Sequence, residues 1–99
     1  MEMTEINDMI AEARAEAEAE HGKLTGDLVR AAGILTEEVG EVMAEALTAT
    51  RASMTDSGKV NARRRMVGEL AQVAATAMLM MENLVRGMGT GANAKGHTR

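Results

Sequence analysis

Glu38 and Glu41 stand three residues apart in the run Ile34-Leu35-Thr36-Glu37-Glu38-Val39-Gly40-Glu41-Val42, and Glu69 and Gln72 repeat that spacing further along. Residues three apart on a helix are surface neighbours, so each pair presents side-chain oxygens next to one another. Two helices that face each other with such pairs can hold a hard divalent cation, because magnesium and manganese take oxygen ligands. Carboxylates gathered in apolar surroundings are costly until a cation neutralises them. Magnesium also keeps waters and recruits phosphate oxygens from a substrate, which makes nucleotide phosphate chemistry the natural use of such a site. The competing reading is that these glutamates mark solvated helix faces. Against it, Glu69 lies between Val67 and Leu70 in the most apolar stretch of the chain.

At about 100° per residue, Glu41 and Glu45 lie within about 60° of Glu38 and make one acidic strip. By the same measure Gln72, Thr76, Met80 and Asn83 lie within about 60° of Glu69, and Arg65 precedes Glu69 by one turn. Glu37 sits about 100° off the acidic strip, where it either orients water or faces solvent. Lys59, Arg63, Arg64 and Arg65 cluster before the second acidic pair. They are candidate phosphate ligands or plain solvated surface, with Arg65 best placed because it shares the face of Glu69. Asn83 can hydrogen-bond a sugar or base, or simply polarise a helix end. Met78, Met80 and Met81 read most simply as core, and less simply as a soft wall for a base.

Other chemistries fail on residue types. The chain has no cysteine, so thiolate metal sites, disulfides and thiol nucleophiles are excluded. Its only histidines are His21 and His97, and neither has the Glu-x-x-His spacing of di-iron bundles. There is no Phe, Tyr or Trp on which bases could stack, and the formal charge of −4 opposes phosphate-backbone binding, so no nucleic-acid partner is expected. The apolar run Val73 to Met81 is too short to span a bilayer, and the N-terminus lacks the order of a signal peptide. The expected setting is soluble and cytoplasmic, with no membrane partner.

Ninety-nine residues, no proline, and abundant alanine, glutamate and methionine predict one all-α domain. A first helix is expected over 4–21, with Thr4 as N-cap and Gly22 as terminator. The Ala-Glu alternation from Ala11 to Glu20 reads as a strong helix former with a solvated acidic side. A polar connection follows to about Gly26. The second helix runs from the cap Asp27 to Thr50, with an apolar stripe of Leu28, Ala31, Ala32, Leu35, Val39, Val42, Met43, Ala46 and Leu47. Arg51 to Lys59 reads as a loop. The third helix is expected from about Val60 to Arg86, stopped by Gly87, with Met66, Val67, Leu70, Val73, Ala74, Ala77, Met78, Met81, Leu84 and Val85 as its stripe. This divides the chain into a helical domain, 1–86, and a flexible Gly-rich tail, 87–99. Stripes this wide leave surface that one copy covers poorly, so a homo-dimer or homo-tetramer is expected.

The segments ILTEEVGEVMAEAL (34–47) and ELAQVAATAMLMMENL (69–84) resemble the MazG-like all-α nucleoside triphosphate pyrophosphohydrolases. That family's signature is a Glu-x-x-Glu pair followed after an interval by Glu-x-x-Asp. Glu38-x-x-Glu41 matches the first pair, and the interval to Glu69 fits. The segment ending His21-Gly22-Lys23 also resembles short MazG-like proteins of bacteria and phages, and the likeness covers roughly residues 10–86. The departure is Gln72, which stands where the motif has Asp. An amide oxygen can ligate magnesium, but without charge.

The resemblance implies a four-helix-bundle-like MazG fold formed on oligomerisation, with subunits paired around their sites. It implies magnesium-dependent hydrolysis of a nucleoside triphosphate to monophosphate and pyrophosphate, with manganese as a possible substitute, in nucleotide-pool housekeeping. Glu38, Glu41 and Glu69 would be catalytic metal ligands and Gln72 a weaker one. Glu37 and Glu45 would orient water, Arg65, Lys59 and Arg63 would bind phosphate, and Asn83 the nucleoside. The alternatives are a weakly active or inactive module that binds nucleotide and metal, or a structural helical oligomerisation protein.

Overall fold

A computed structural model of the chain describes residues 1–22, 24 and 26–90. They form three helices, α1 (Met3–His21), α2 (Leu28–Thr50) and α3 (Asp56–Thr90), with no strand among the described residues. The all-α expectation is met, and the helix ends show where local chemistry outweighs pattern. α1 starts ahead of Thr4: Glu2 is the N-cap, and its N–H donates to Glu5 Oε1 at 2.9 Å, so the expected Thr4 cap is replaced by a reciprocal carboxylate arrangement. Gly22 ends α1 at φ 73°, a conformation that glycine adopts without steric cost, and its N–H closes on the Glu18 carbonyl at 2.9 Å. Asp27 caps α2 as expected, Oδ1 accepting from the Arg30 N–H at 2.9 Å.

α3 departs from expectation at both ends. It begins at Asp56 rather than near Val60, because Thr55 Oγ1 accepts from the Gly58 N–H at 3.1 Å and caps the first turn. It also runs past Gly87 to Thr90. A single glycine costs a helix about 1 kcal/mol relative to alanine, too little to stop one of this length. The tail expected from residue 87 therefore opens with helix, and its remainder, 91–99, lies outside the described residues, as do Lys23 and Thr25 in the first connection.

α3 is the hub. α1 and α2 each pack on it and not on each other. α1 runs alongside α3 in the same direction: Met9, Ile10 and Ala13 pack with Ala71 and Ala75, and the chain then turns so that Leu24 packs with Ala31 and Leu79. α2 returns antiparallel, with Ala31 near Leu79 at one end and Glu45 against Arg65 at the other. Leu24 holds a left-handed φ of 57°, which for a branched side chain costs on the order of 1–2 kcal/mol. Burying that side chain under α2 and α3 offsets the cost by roughly 2 kcal/mol.

The buried core is mostly alanine: Ala13, Ala17, Ala31, Ala49, Ala62, Ala71 and Ala75, with Leu24, Leu79 and Thr76. Small side chains let the helices approach closely but remove little apolar area from water. The expected stripes are therefore not the packing faces. Of their members only Ala31 is buried; Ala49, Ala62, Ala71, Ala75 and Leu79, which the stripes left out, make the helix contacts, whereas Leu28, Val39, Met43 and Leu47 of α2 and Val67, Leu70, Met78, Met81, Leu84 and Val85 of α3 stay exposed. α2 and α3 are covered on one side only.

Candidate functional site

Because α1 and α2 flank α3 without touching, a cleft of about 470 Å³ opens between them above α3. Glu37, Glu38 and Glu41 line one wall from α2, and Glu69 and Gln72 form the floor from α3. The i, i+3 spacing that marks these residues in sequence puts each pair on the cleft side of its helix. The acidic pair of α2 and the Glu69–Gln72 pair of α3 thus share one cavity. The opposite wall was not expected: Glu16, Glu20 and His21 of α1 complete it. The alternation from Ala11 to Glu20 conceals them, since every glutamate there looks equally solvated. The only sign is that Glu16 and Glu20 lie one turn apart just ahead of His21.

The electrostatics of the cleft are unbalanced. Glu38 Oε1 and Glu69 Oε2 are shielded from solvent without a hydrogen-bond partner. Burial raises the pKa of Glu38 above its ordinary 4.5; the neighbouring Thr76 hydroxyl and His21 oppose the rise, and Glu41 and Glu20 add to it. Burial also raises Glu69, and the adjoining carboxyl of Glu41 raises it further, by hydrogen bonding and by charge, with Glu45 and Glu38 adding smaller repulsions. Thr76 is fully buried on α3, one turn beyond Gln72, and its hydroxyl forms no well-shaped hydrogen bond although it lies against Glu38. The raised proton affinity of these two neighbouring carboxylates reflects burial first and the mutual repulsion of the cluster second.

Gln72 does not stand free. Its Nε2 donates to Glu16 Oε1 at 3.2 Å, so the amide tethers α1 to α3 along the cleft. Arg65 and Glu45 are committed to each other: Arg65 Nε donates to both Glu45 oxygens at 3.0 Å. They do not line the cleft, although Glu45 still adds to the repulsion at Glu69. Lys59 and Arg63 lie in the first turns of α3, also outside the lining. Asn83 is three turns beyond Gln72; it accepts from Arg86 Nη1 at 3.2 Å and leaves its Nδ2 shielded and unpartnered. The structure thus gathers Glu37, Glu38, Glu41, Glu69 and Gln72, and leaves Glu45, Arg65, Lys59, Arg63 and Asn83 outside.

Among the described residues, no three His, Asp or Glu side chains stand close enough to grip one ion as they lie. The carboxylates ring the cleft instead of converging on a point. In donor chemistry the cleft fits a hard divalent cation: its charged ligands are all oxygens, and two of them are orphaned. No family profile, curated protein or solved structure matches the chain. Nor is any described helix long and apolar enough to cross a membrane.

Proposed function

We propose that the chain is a MazG-like, divalent-metal-dependent nucleoside triphosphate pyrophosphohydrolase. The observation that carries this reading is the meeting of Glu38, Glu41 and Glu69 around one cleft with two shielded, unpartnered carboxylate oxygens. Magnesium, with manganese as a substitute, would be held by these three carboxylates and by the Gln72 carbonyl oxygen, and would supply the positive charge that a triphosphate requires. Glu37, on the exposed rim of the cleft, would hold a water by hydrogen bond. His21, within electrostatic reach of Glu38, adds donor capacity on the far wall. The cleft's own carboxylates would repel a bare triphosphate, so Glu38, Glu41 and Glu69 would need a bound cation to offset their charge before phosphate could approach.

Phosphate contacts from Lys59 and Arg63 and nucleoside contact from Asn83 require approach from beyond the cleft lining, and Arg65 would first have to leave Glu45. A second reading, a module that binds metal and nucleotide with slow turnover, draws on the tether between Gln72 and Glu16, which replaces a charged ligand by a neutral amide already in use. Assembly into a homo-dimer or homo-tetramer is part of the proposal, supported by the apolar surface that the single chain leaves open.

The deciding experiment is pyrophosphate release from a panel of ribo- and deoxyribonucleoside triphosphates with magnesium or manganese. Release that depends on metal and vanishes in Glu41→Gln supports hydrolysis. Metal and nucleotide binding without release favours the slow module. No metal binding at all overturns both readings.

A further inference from the structure

We infer that α3 is a homodimer seam that pairs antiparallel with α3 of a second copy. This adds to the proposed assembly the surface and the orientation that it uses, and it stands whether or not the cleft hydrolyses anything. Between Met66 and Met88 the only charged residues of α3 are Glu69, Glu82 and Arg86. At about 100° per residue, all three fall outside an arc of about 120° that is apolar throughout. Within that arc Val67, Leu70, Ala74, Ala77, Met81, Leu84 and Met88 follow alternating steps of three and four, the spacing of a two-helix seam. Neither α1 nor α2 covers it: Leu70 is 47 % exposed, Met81 63 % and Met88 70 %. Monomeric proteins rarely leave contiguous apolar patches of more than a few hundred Å² open to water.

The occupant is a second copy because the seam is complementary to itself only when reversed. In an antiparallel pair centred between Ala77 and Met78, Ala77 meets the other copy's Met78, Ala74 meets Met81, Leu70 meets Val85 and Val67 meets Met88. At the centre each alanine thus faces a methionine, and toward the ends Leu70 and Val67 meet Val85 and Met88, an arrangement that fills space without strain. A parallel pair would set methionine on methionine and alanine on alanine, and would bring the Arg63 and Arg64 clusters of the two copies together. Reversal keeps those clusters at opposite ends.

The flank of the seam agrees. Beside Val67 and Leu70, α1 and α3 enclose an almost wholly apolar groove of about 470 Å³, lined by Ile6, Met9 and Ile10 on the α1 side. In the antiparallel pair this groove receives the protruding C-terminal turns of the other α3, with Val85 and Met88. The arc runs about 32 Å along the helix, and the exposed strip of Val39, Met43 and Leu47 on α2 extends it sideways. Two helices side by side, each about 10 Å wide, give a footprint on the order of 600 Å², close to the roughly 800 Å² of accessible surface that each partner buries in a standard interface.

The absence of cysteine makes the test clean. Val67→Cys and Met88→Cys chains are prepared separately and mixed under oxidation. The antiparallel seam predicts a disulfide-linked dimer, at least tenfold enriched in the mixture over either variant alone. Linking of Val67→Cys to itself at that level would establish a parallel pair and overturn the inference. Sedimentation of the full chain should give at least twice the 10.5 kDa chain mass. Leu70→Glu should return it to 10.5 kDa; a native chain that sediments as a monomer at tens of micromolar also overturns the inference. If Leu70→Glu loses its helical circular dichroism, the cysteine pair still decides. Manganese binding, measured on the same samples, reports on the cleft alone, so a linked dimer without metal refutes the metal reading and leaves the seam intact.

Discussion

The carboxylate cleft and the apolar arc occupy different sides of the same helix, and they are incomplete in opposite ways. In the cleft, shielded oxygens of Glu38 and Glu69 lack positive charge or hydrogen-bond donors. On the arc, Leu70, Met81 and Met88 stay open to water. Both conditions cost the isolated chain stability, the first through desolvated like charges and the second through unburied hydrocarbon. On the proposed readings each would be relieved by a different kind of partner, a cation in one case and a protein surface in the other. α3 can serve both because the small side chains of its remaining faces, Ala62, Ala71 and Ala75, suffice to hold α1 and α2.

The largest effect that would separate the two regions is catalytic. Glu38→Gln should cut pyrophosphate release by at least about 100-fold, the scale of losing one preorganised electrostatic contact to the transition state. Its sedimentation should be unchanged, and near-normal turnover would remove Glu38 from the site. Next is Gln72→Asp, which adds a charge beside Glu16. Manganese affinity, read by titration calorimetry, should rise about tenfold, about 1.4 kcal/mol, while the metal-free protein melts at a lower temperature. An unchanged affinity would show that position 72 does not limit binding.

The pH dependence is smaller and has a fixed sign. Glu38 and Glu69 bind protons more tightly in the folded chain than in the unfolded one, so their contribution favours folding at low pH. That contribution fades as pH rises from the ordinary carboxylate value through the raised folded values. The metal-free melting temperature should therefore fall over this range more steeply than that of the Glu38→Gln/Glu69→Gln double variant. Equal slopes would mean that the cleft is not the source of the strain. Smallest is Arg65→Ala. The Arg65 side chain is 54 % exposed in its pair with Glu45, and exposed pairs contribute about 0.5 kcal/mol or less, so thermal stability should barely move. A large loss of triphosphate affinity in this variant would show that Arg65 leaves Glu45 to meet phosphate.

Sequence pattern conveyed the α-helical class, the Asp27 cap, the Gly22 terminator and the sharing of one cleft by Glu38, Glu41, Glu69 and Gln72, because caps and i, i+3 pairs are local. It failed where a decision belongs to three dimensions. Thr55 gave no clear signal as the cap of α3, standing among several equivalent turn residues. The α1 wall, Glu16, Glu20 and His21, became visible only once α1 lay along α3. Arg65 and Glu45 each sat on a plausible face, yet they neutralise each other across two helices, which no single-helix projection reveals. The apolar stripes were misplaced: α3 packs through Ala62, Ala71, Ala75, Thr76 and Leu79, none of them in its expected stripe, because periodicity follows the larger apolar residues whereas close helix contact selects small ones.

Because α1 and α2 meet only through α3, the width of the cleft is a gauge of how closely two independent levers rest on one fulcrum. On the α1 side that distance is set by Ala71 and Ala75, neither of which carries a charge or faces the carboxylates. A bulkier residue at Ala75 would prise α1 outward and move Glu16 and Glu20 with it. If the cleft takes the proposed cation, its affinity would follow the girth of an alanine contact as well as the carboxylates themselves.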